Sequence, residues 1–70
     1  MQRRQVSSSN IRSIGYNKDY SILEVEFTSY HTYQYFGVSE SVYNALMNAS
    51  SHGSYLNQYI KDRYQYSKVN

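Results

Sequence analysis

From Ser21 the chain reads Ser21-Ile22-Leu23-Glu24-Val25-Glu26-Phe27. Leu23, Val25 and Phe27 alternate with Glu24 and Glu26, so a period of two puts the apolar side chains on one face of a strand and the carboxylates on the other. That pattern predicts a half-buried strand in an antiparallel sheet. On its N-terminal side, Tyr16-Asn17-Lys18-Asp19 carries turn chemistry, because Asn and Asp bond locally and tolerate left-handed backbone. Before the turn, Asn10 to Tyr16 is a first strand anchored by Ile11 and Ile14. Their spacing of three breaks strict alternation and predicts a bulge or an irregular start, with Gly15 as a second hint of it.

On the other side, Thr28 to Tyr30 turns the chain and His31 to Phe36 forms a third strand. Matching apolar to apolar places Tyr33 and Tyr35 on the face of Leu23, Val25 and Phe27. Short connections then make the three strands an antiparallel meander. Gly37-Val38-Ser39 ends the sheet, and Ser39 caps a helix whose first residue, Glu40, suits the positive end of the helix dipole. From Glu40 to Ala49 the stripe is Val42, Ala45, Leu46 and Ala49. Ser50 to Ser54 breaks that helix at Gly53. A second helix follows from about Tyr55 to Asp62, with Tyr55, Leu56, Tyr59 and Ile60 buried and Gln58, Lys61 and Asp62 toward water. The stretch Tyr64 to Val69 alternates and fits either a fourth, edge strand or a docked extension. The fold class predicted is α+β: a three-stranded antiparallel meander packed on two short helices, with that optional C-terminal edge strand. Residues 9–69 make one domain behind a flexible, basic, serine-rich arm of residues 1–8.

The totals narrow the chemistry. A chain of 70 residues has room for one domain and buries only about 60% of the surface its unfolded form exposes. It has no cysteine, so disulfides and thiolate metal sites are excluded and nothing requires an oxidising compartment; the cytoplasm is the expected location. Polar residues 1–10 argue against a signal peptide, and no apolar run is long enough to span a membrane. Ten tyrosines, two phenylalanines and no tryptophan mean that tyrosine must supply much of the core. They are also more rings than a core this small needs, which leaves some for the surface. Tyr16, Tyr30, Tyr64 and Tyr66 are the expected exposed rings.

No set of residues reads as catalytic. His31 and His52 lack a nucleophile, an acid or a third metal ligand at a useful spacing, so they read as ordinary turn or surface residues. Glu24 and Glu26 are the solvated side of a strand rather than an acid/base pair spanning a cleft. Gly15, Gly37 and Gly53 are scattered and form no phosphate loop. The expectation is a non-enzymatic protein with no cofactor and no metal site.

Charge is segregated. Residues 1–12 sum to +3, residues 13–60 to −3 and residues 61–70 to +2, for a net +2. Basic ends lying close together would form one patch. Two functions fit. In one, a tyrosine-rich surface docks a protein partner, with the last stretch pairing as an edge strand. In the other, Arg3, Arg4, Arg12, Lys61, Arg63 and Lys68 neutralise the phosphates of single-stranded RNA or another nucleic acid while Tyr64 and Tyr66 stack bases. Tyrosine enrichment suits both. Tyr33 and Tyr35 read first as core, and only second as a stacking platform.

Read together, Ser8-Ser9-Asn10-Ile11, Ile14-Gly15-Tyr16, Leu23-Glu24-Val25-Glu26-Phe27, Tyr33-Gln34-Tyr35-Phe36-Gly37-Val38, Val42-Tyr43, Ala49, Ser51-His52-Gly53-Ser54-Tyr55-Leu56-Asn57, Ile60-Lys61 and Tyr64-Gln65-Tyr66 resemble the KTSC domain, a family named after a segment at the C-terminus of some lysyl-tRNA synthetases. The ordered set, over nearly the whole chain, carries the resemblance. It implies a small bacterial or phage protein, a suggestion of RNA binding from the synthetase context, and no catalytic residue. Tyr33, Tyr35, Ser51, Gly53 and Asn57 fall on the family signature and read as structural. Two positions depart from the family's pattern. Tyr30 stands where a glycine is usual in the strand-to-strand turn, which strains a non-glycine residue or changes the turn. Ser39 stands where a proline usually starts the helix and serves as its cap.

Overall fold

The computed structural model describes residues 1–70. Five strands and two helices follow one another as β1 (Arg3–Gln5), β2 (Ile11–Asn17), β3 (Ile22–Phe27), β4 (Thr32–Phe36), α1 (Glu40–Asn48), α2 (His52–Tyr59) and β5 (Tyr66–Lys68). The sheet is antiparallel throughout, with strands in the order β1-β2-β3-β4-β5. The α+β class and the central meander are as expected, but the sheet has five strands rather than three. The last stretch is the edge strand, and part of the expected arm, Arg3–Gln5, pairs with β2 on the opposite edge.

The β2–β3 hairpin is set by local chemistry. Asn17 Oδ1 accepts from the main-chain N–H groups of Asp19 and Tyr20 at 3.0 and 3.2 Å, and Ser21 takes a positive φ of 56°. The register shifts between Ile11 and Ser13. This bulge lets Ile11 and Ile14 both face the core despite their spacing. Cross-strand pairs Val25↔Tyr33 and Leu23↔Tyr35 then place both tyrosines on the inner face. The β3–β4 turn runs through Tyr30 at φ +70°, the left-handed region in which a side chain costs about 1 kcal/mol or more. Arg12 lies over its ring at 4.9 Å and offsets part of that cost.

The core consists of Ile11, Ile14, Leu23, Val25, Tyr35, Val38, Leu46, Leu56 and Ile60. Each aliphatic member contributes roughly 1.5–3 kcal/mol by leaving water. On α1 the buried stripe centres on Leu46, flanked by half-buried Val42, Tyr43 and Met47; Ala45, expected inside, is exposed. Ser39 caps α1 as expected, its hydroxyl accepting from Val42 N. The second helix starts three residues earlier than the periodicity indicated, because Ser51 caps it by accepting from Ser54 N. Gly53 lies inside α2 rather than at a hinge, and Tyr59 is exposed rather than buried.

The outer face of the sheet is held by ions rather than left to solvent. Register aligns Arg3, Gly15, Glu24 and Gln34 in one row across four strands. Having no side chain, Gly15 leaves a lane along which Arg3 reaches Glu24 (3.1 Å), Glu26 (3.7 Å) and Thr32 Oγ1 (3.4 Å). Gln34 and Ser13 donate to Glu24 and Glu26 at 2.8 and 3.1 Å, and Arg12 approaches Glu26 at 3.7 Å. A Cβ on Gly15 would stand 2.7 Å from Gln2 O and 2.9 Å from Arg3 Cγ. Gly15→Ala is therefore expected to lift β1 and to destabilise the fold by about 1–3 kcal/mol, the usual range for overpacking. In hydrogen exchange the amides of β1 should lose protection first, while the β2–β3 ladder keeps most of its own. An unchanged melting temperature would show that the lane is slack.

Candidate functional site

The two helices cover the inner face incompletely. Toward the β3–β4 turn the sheet carries Phe27, Tyr33 and Tyr66, none of them fully buried. They form an aromatic ladder: Phe27 meets Tyr33 edge-on with centroids 5.8 Å apart, and Tyr66 lies 5.8 Å from Tyr33 and 5.9 Å from Tyr35. Facing this ladder are Asn57 of α2 and the residues just after the helix, Lys61 and Asp62. The groove between the two walls is about 510 Å³ in volume, and Asn10 with Thr28, Ser29 and His31 of the turn completes its lining.

Local sequence explains each placement. The helix ends because Ile60 and Lys61 N–H both donate to Leu56 O, closing a tight turn that brings Lys61 and Asp62 to the groove mouth. Asn10 is fixed from two sides. Its carbonyl accepts from Thr28 N at 3.0 Å, and Ser8 Oγ accepts from the N–H groups of Asn10 and Ile11. Gly53 is buried against it, and a Cβ there would come within 2.5 Å of Asn10 Oδ1, so any larger residue at this position would make the Asn10 side chain shift. Ser51, Gly53 and Asn57 thus act in sequence along one helix, as cap, contact and groove wall. His52 packs inward, its Nδ1 2.9 Å from Leu46 O.

Tyr35 forms the floor. Only 3% of it is exposed. Among the tyrosines, Tyr16 bonds its hydroxyl within the chain, to Val38 O. The Tyr35 hydroxyl has no such partner, yet no fully buried side-chain polar atom is left unsatisfied, so it must open onto the groove that the ring lines. Burial pushes its pKa up to about 12, and Tyr33, Tyr66 and Asp62 add to the effect. At neutral pH this hydroxyl stays protonated and can donate a hydrogen bond.

The residues expected to bind nucleic acid are not brought together. Arg3, Arg4 and Arg12 belong to the β1 side of the sheet, and Lys68 with Tyr66 to β5 at the other edge. The strands β1 and β5 are the two margins of the sheet, although the Arg3 guanidinium crosses to Thr32 of β4, whose main chain bonds Val69 and Asn70. Arg3 and Arg12 are already engaged with Glu24 and Glu26. Tyr64 is half-buried and packs against the core, as does Tyr16, which stacks on Tyr43 at 4.7 Å; Tyr66 and Tyr30 are the exposed rings of the four expected. Lys61 joins the groove, whereas Arg63 is exposed beyond its lining. Sequence reasoning missed Asn10, Phe27, His31 and Asp62 as groove residues. The Ser8-x-Asn10 spacing, a local side-chain turn, was the available signal for the first.

The free margin of β5 adjoins the groove. Phe36 N donates to Gln65 O and Val69 N to Thr32 O. By antiparallel alternation the main-chain groups of Tyr66 and Lys68 then point away from β4, toward no further strand.

A five-stranded antiparallel sheet with one helical layer and an aromatic groove defines a small α+β domain. The chain matches the KTSC domain family over residues 7–69, and it belongs to that family. It is 41% identical over 70 residues to an uncharacterized protein of Stutzerimonas stutzeri, covering 99% of both chains. It is 34% identical over 61 residues to a lysine–tRNA ligase of Nostoc punctiforme, covering 87% of this chain and 11% of that protein. The crystal structure of a KTSC domain protein from Yersinia pestis superposes with a TM-score of 0.96 at 42% identity, covering 99% of this chain and 97% of that one. No helix is long and apolar enough to cross a membrane.

Tyr35 gives the stability a signature in alkali. Its hydroxyl ionises near 10 in the unfolded chain and near 12 in the folded one. The stabilisation is therefore complete below pH ~10 and is lost as pH rises toward ~12. Tyr35→Phe should fold normally at pH 7 and lose less melting temperature than the parent between pH 10 and 12. Superimposable curves would mean that another group dominates.

Proposed function

We propose that this chain is a non-enzymatic module that docks a protein partner in the tyrosine-lined groove between β4, β5 and the end of α2. The observation that carries the reading is the uncovered ladder of Phe27, Tyr33 and Tyr66 standing opposite Asn57, Lys61 and Asp62. Aromatic rings with a few polar groups around them are typical of interface anchors, since they bury much area at little conformational cost. The adjoining open margin of β5 supports the same reading, because an extended segment can pair there while its side chains enter the groove.

Single-stranded RNA is favoured less by this geometry. A backbone-tracking site needs a continuous positive groove, whereas the cations here are split between two sheet edges and Lys61 stands beside Asp62.

Selection of displayed random peptides against the intact chain tests the proposal. Enriched peptides should bind in the micromolar range and weaken about tenfold on Tyr66→Ala, as an interface anchor would. The melting temperature should shift by no more than a few degrees, since Tyr66 is 58% exposed. Binders indifferent to Tyr66→Ala and Tyr33→Ala would remove the groove from the mechanism. Oligouridylate binding tighter than ~100 μM, with a steep loss on added salt, would assign the surface to nucleic acid instead.

A further inference from the structure

Tyr35 is 3% exposed, its hydroxyl has no partner in the protein and is not sealed from solvent, and the residue lines a groove whose fixed charges, Lys61 and Asp62, cancel. We infer that the groove recognises a neutral peptide main chain, with the Tyr35 O–H donating to a backbone carbonyl of an extended segment while that segment's apolar side chain packs on Tyr33 and Tyr66. This inference rests on the reading of the groove as a docking site and names what it takes up.

Three observations carry it. First, a side chain as buried as Tyr35 almost always satisfies its hydroxyl. This one has no partner within the chain although only 3% of the residue is exposed, and its hydroxyl is not sealed from outside. Second, the hydroxyl stays protonated well beyond neutral pH, so it offers a hydrogen to an acceptor. Third, Lys61 and Asp62 stand at the groove mouth, and the chain's three ion pairs join only Arg3 and Arg12 to Glu24 and Glu26. An anion would gain from Lys61 and be repelled by Asp62; a cation would meet the reverse. An amide, which carries both a donor and an acceptor and no net charge, suits the pair, with Asn57 able to give and take one bond more.

A matched series of small probes separates the cases: N-acetylphenylalanine methylamide (neutral), N-acetylphenylalanine (anionic) and phenylalaninamide (cationic), titrated into protein labelled with ¹³C at the tyrosine ring and ¹⁵N at asparagine. The neutral probe should move the signals of Tyr35 and Asn57 and bind about tenfold tighter than either charged probe. Tyr35→Phe, with the amide spectrum of its core unchanged, should weaken the neutral probe about tenfold, the worth of one buried hydrogen bond. Equal or tighter binding of the anion or of the cation would overturn the inference, as would a Tyr35→Phe protein that binds undiminished, or no binding by any probe. The two proposals fail separately. Selected peptides that need Tyr66 but ignore Tyr35→Phe would leave protein docking standing and remove the carbonyl contact. A neutral probe that binds as described, with no peptide selected, would do the opposite.

Discussion

Two helices too short for the strands beneath them set the terms for the rest of this molecule. At 1.5 Å per residue, α1 and α2 are roughly 13 and 12 Å long, whereas the central strands extend to about 17–23 Å at 3.3 Å per residue. The helical layer brings Leu46, Leu56 and Ile60 to a core that Ile11, Ile14, Leu23, Val25, Tyr35 and Val38 complete. What remains uncovered is the end of the sheet near the β3–β4 turn, and the side chains there are aromatic. Phe27, Tyr33 and Tyr66 can live half in water because each ring shields a neighbour and a tyrosine hydroxyl tolerates the surface. The groove is thus a direct result of the packing geometry.

The same geometry explains why part of the fold was legible in the sequence and part was not. Strands β2, β3 and β4 each carry apolar residues whose spacing names a face, and even the bulge before Ser13 was signalled by the odd step between Ile11 and Ile14. Strand β1 carries no such signal. Arg3-Arg4-Gln5 joins the sheet through ion pairs across Gly15, a lane that exists only once β2 and β3 are side by side. The start of α2 was misread for a related reason. Gly53 looked like a breaker, but its missing side chain accommodates Asn10, 43 positions earlier, and the capping serine at position 51 was outweighed by that glycine.

The candidate site was legible as composition and not as place. Ten tyrosines announced a surplus, and inward-facing Tyr33 and Tyr35 followed from alternation. Which rings would be spare depended on strand order. Antiparallel addition puts β1 and β5 on opposite margins, and the cations of β1 and β2 are spent on Glu24 and Glu26, which composition does not reveal. Tyr64 and Tyr16 were drawn into packing, while Phe27 and Asp62, read as core and solvent, share one cleft. Outer-face Glu24 and Glu26, read as solvated, are both ligated by arginine and amide or hydroxyl groups.

Val38 sits in the connection between β4 and α1, and both of its main-chain groups are committed to the β2–β3 hairpin: its N–H to Ser21 O at 2.9 Å and its carbonyl to the hydroxyl of Tyr16. Tyr16 in turn stacks on Tyr43 of α1. This knot welds the sheet to the helical layer at the point where the chain passes from one to the other. Loosening either layer therefore strains the other, which favours the single cooperative transition usual for small domains.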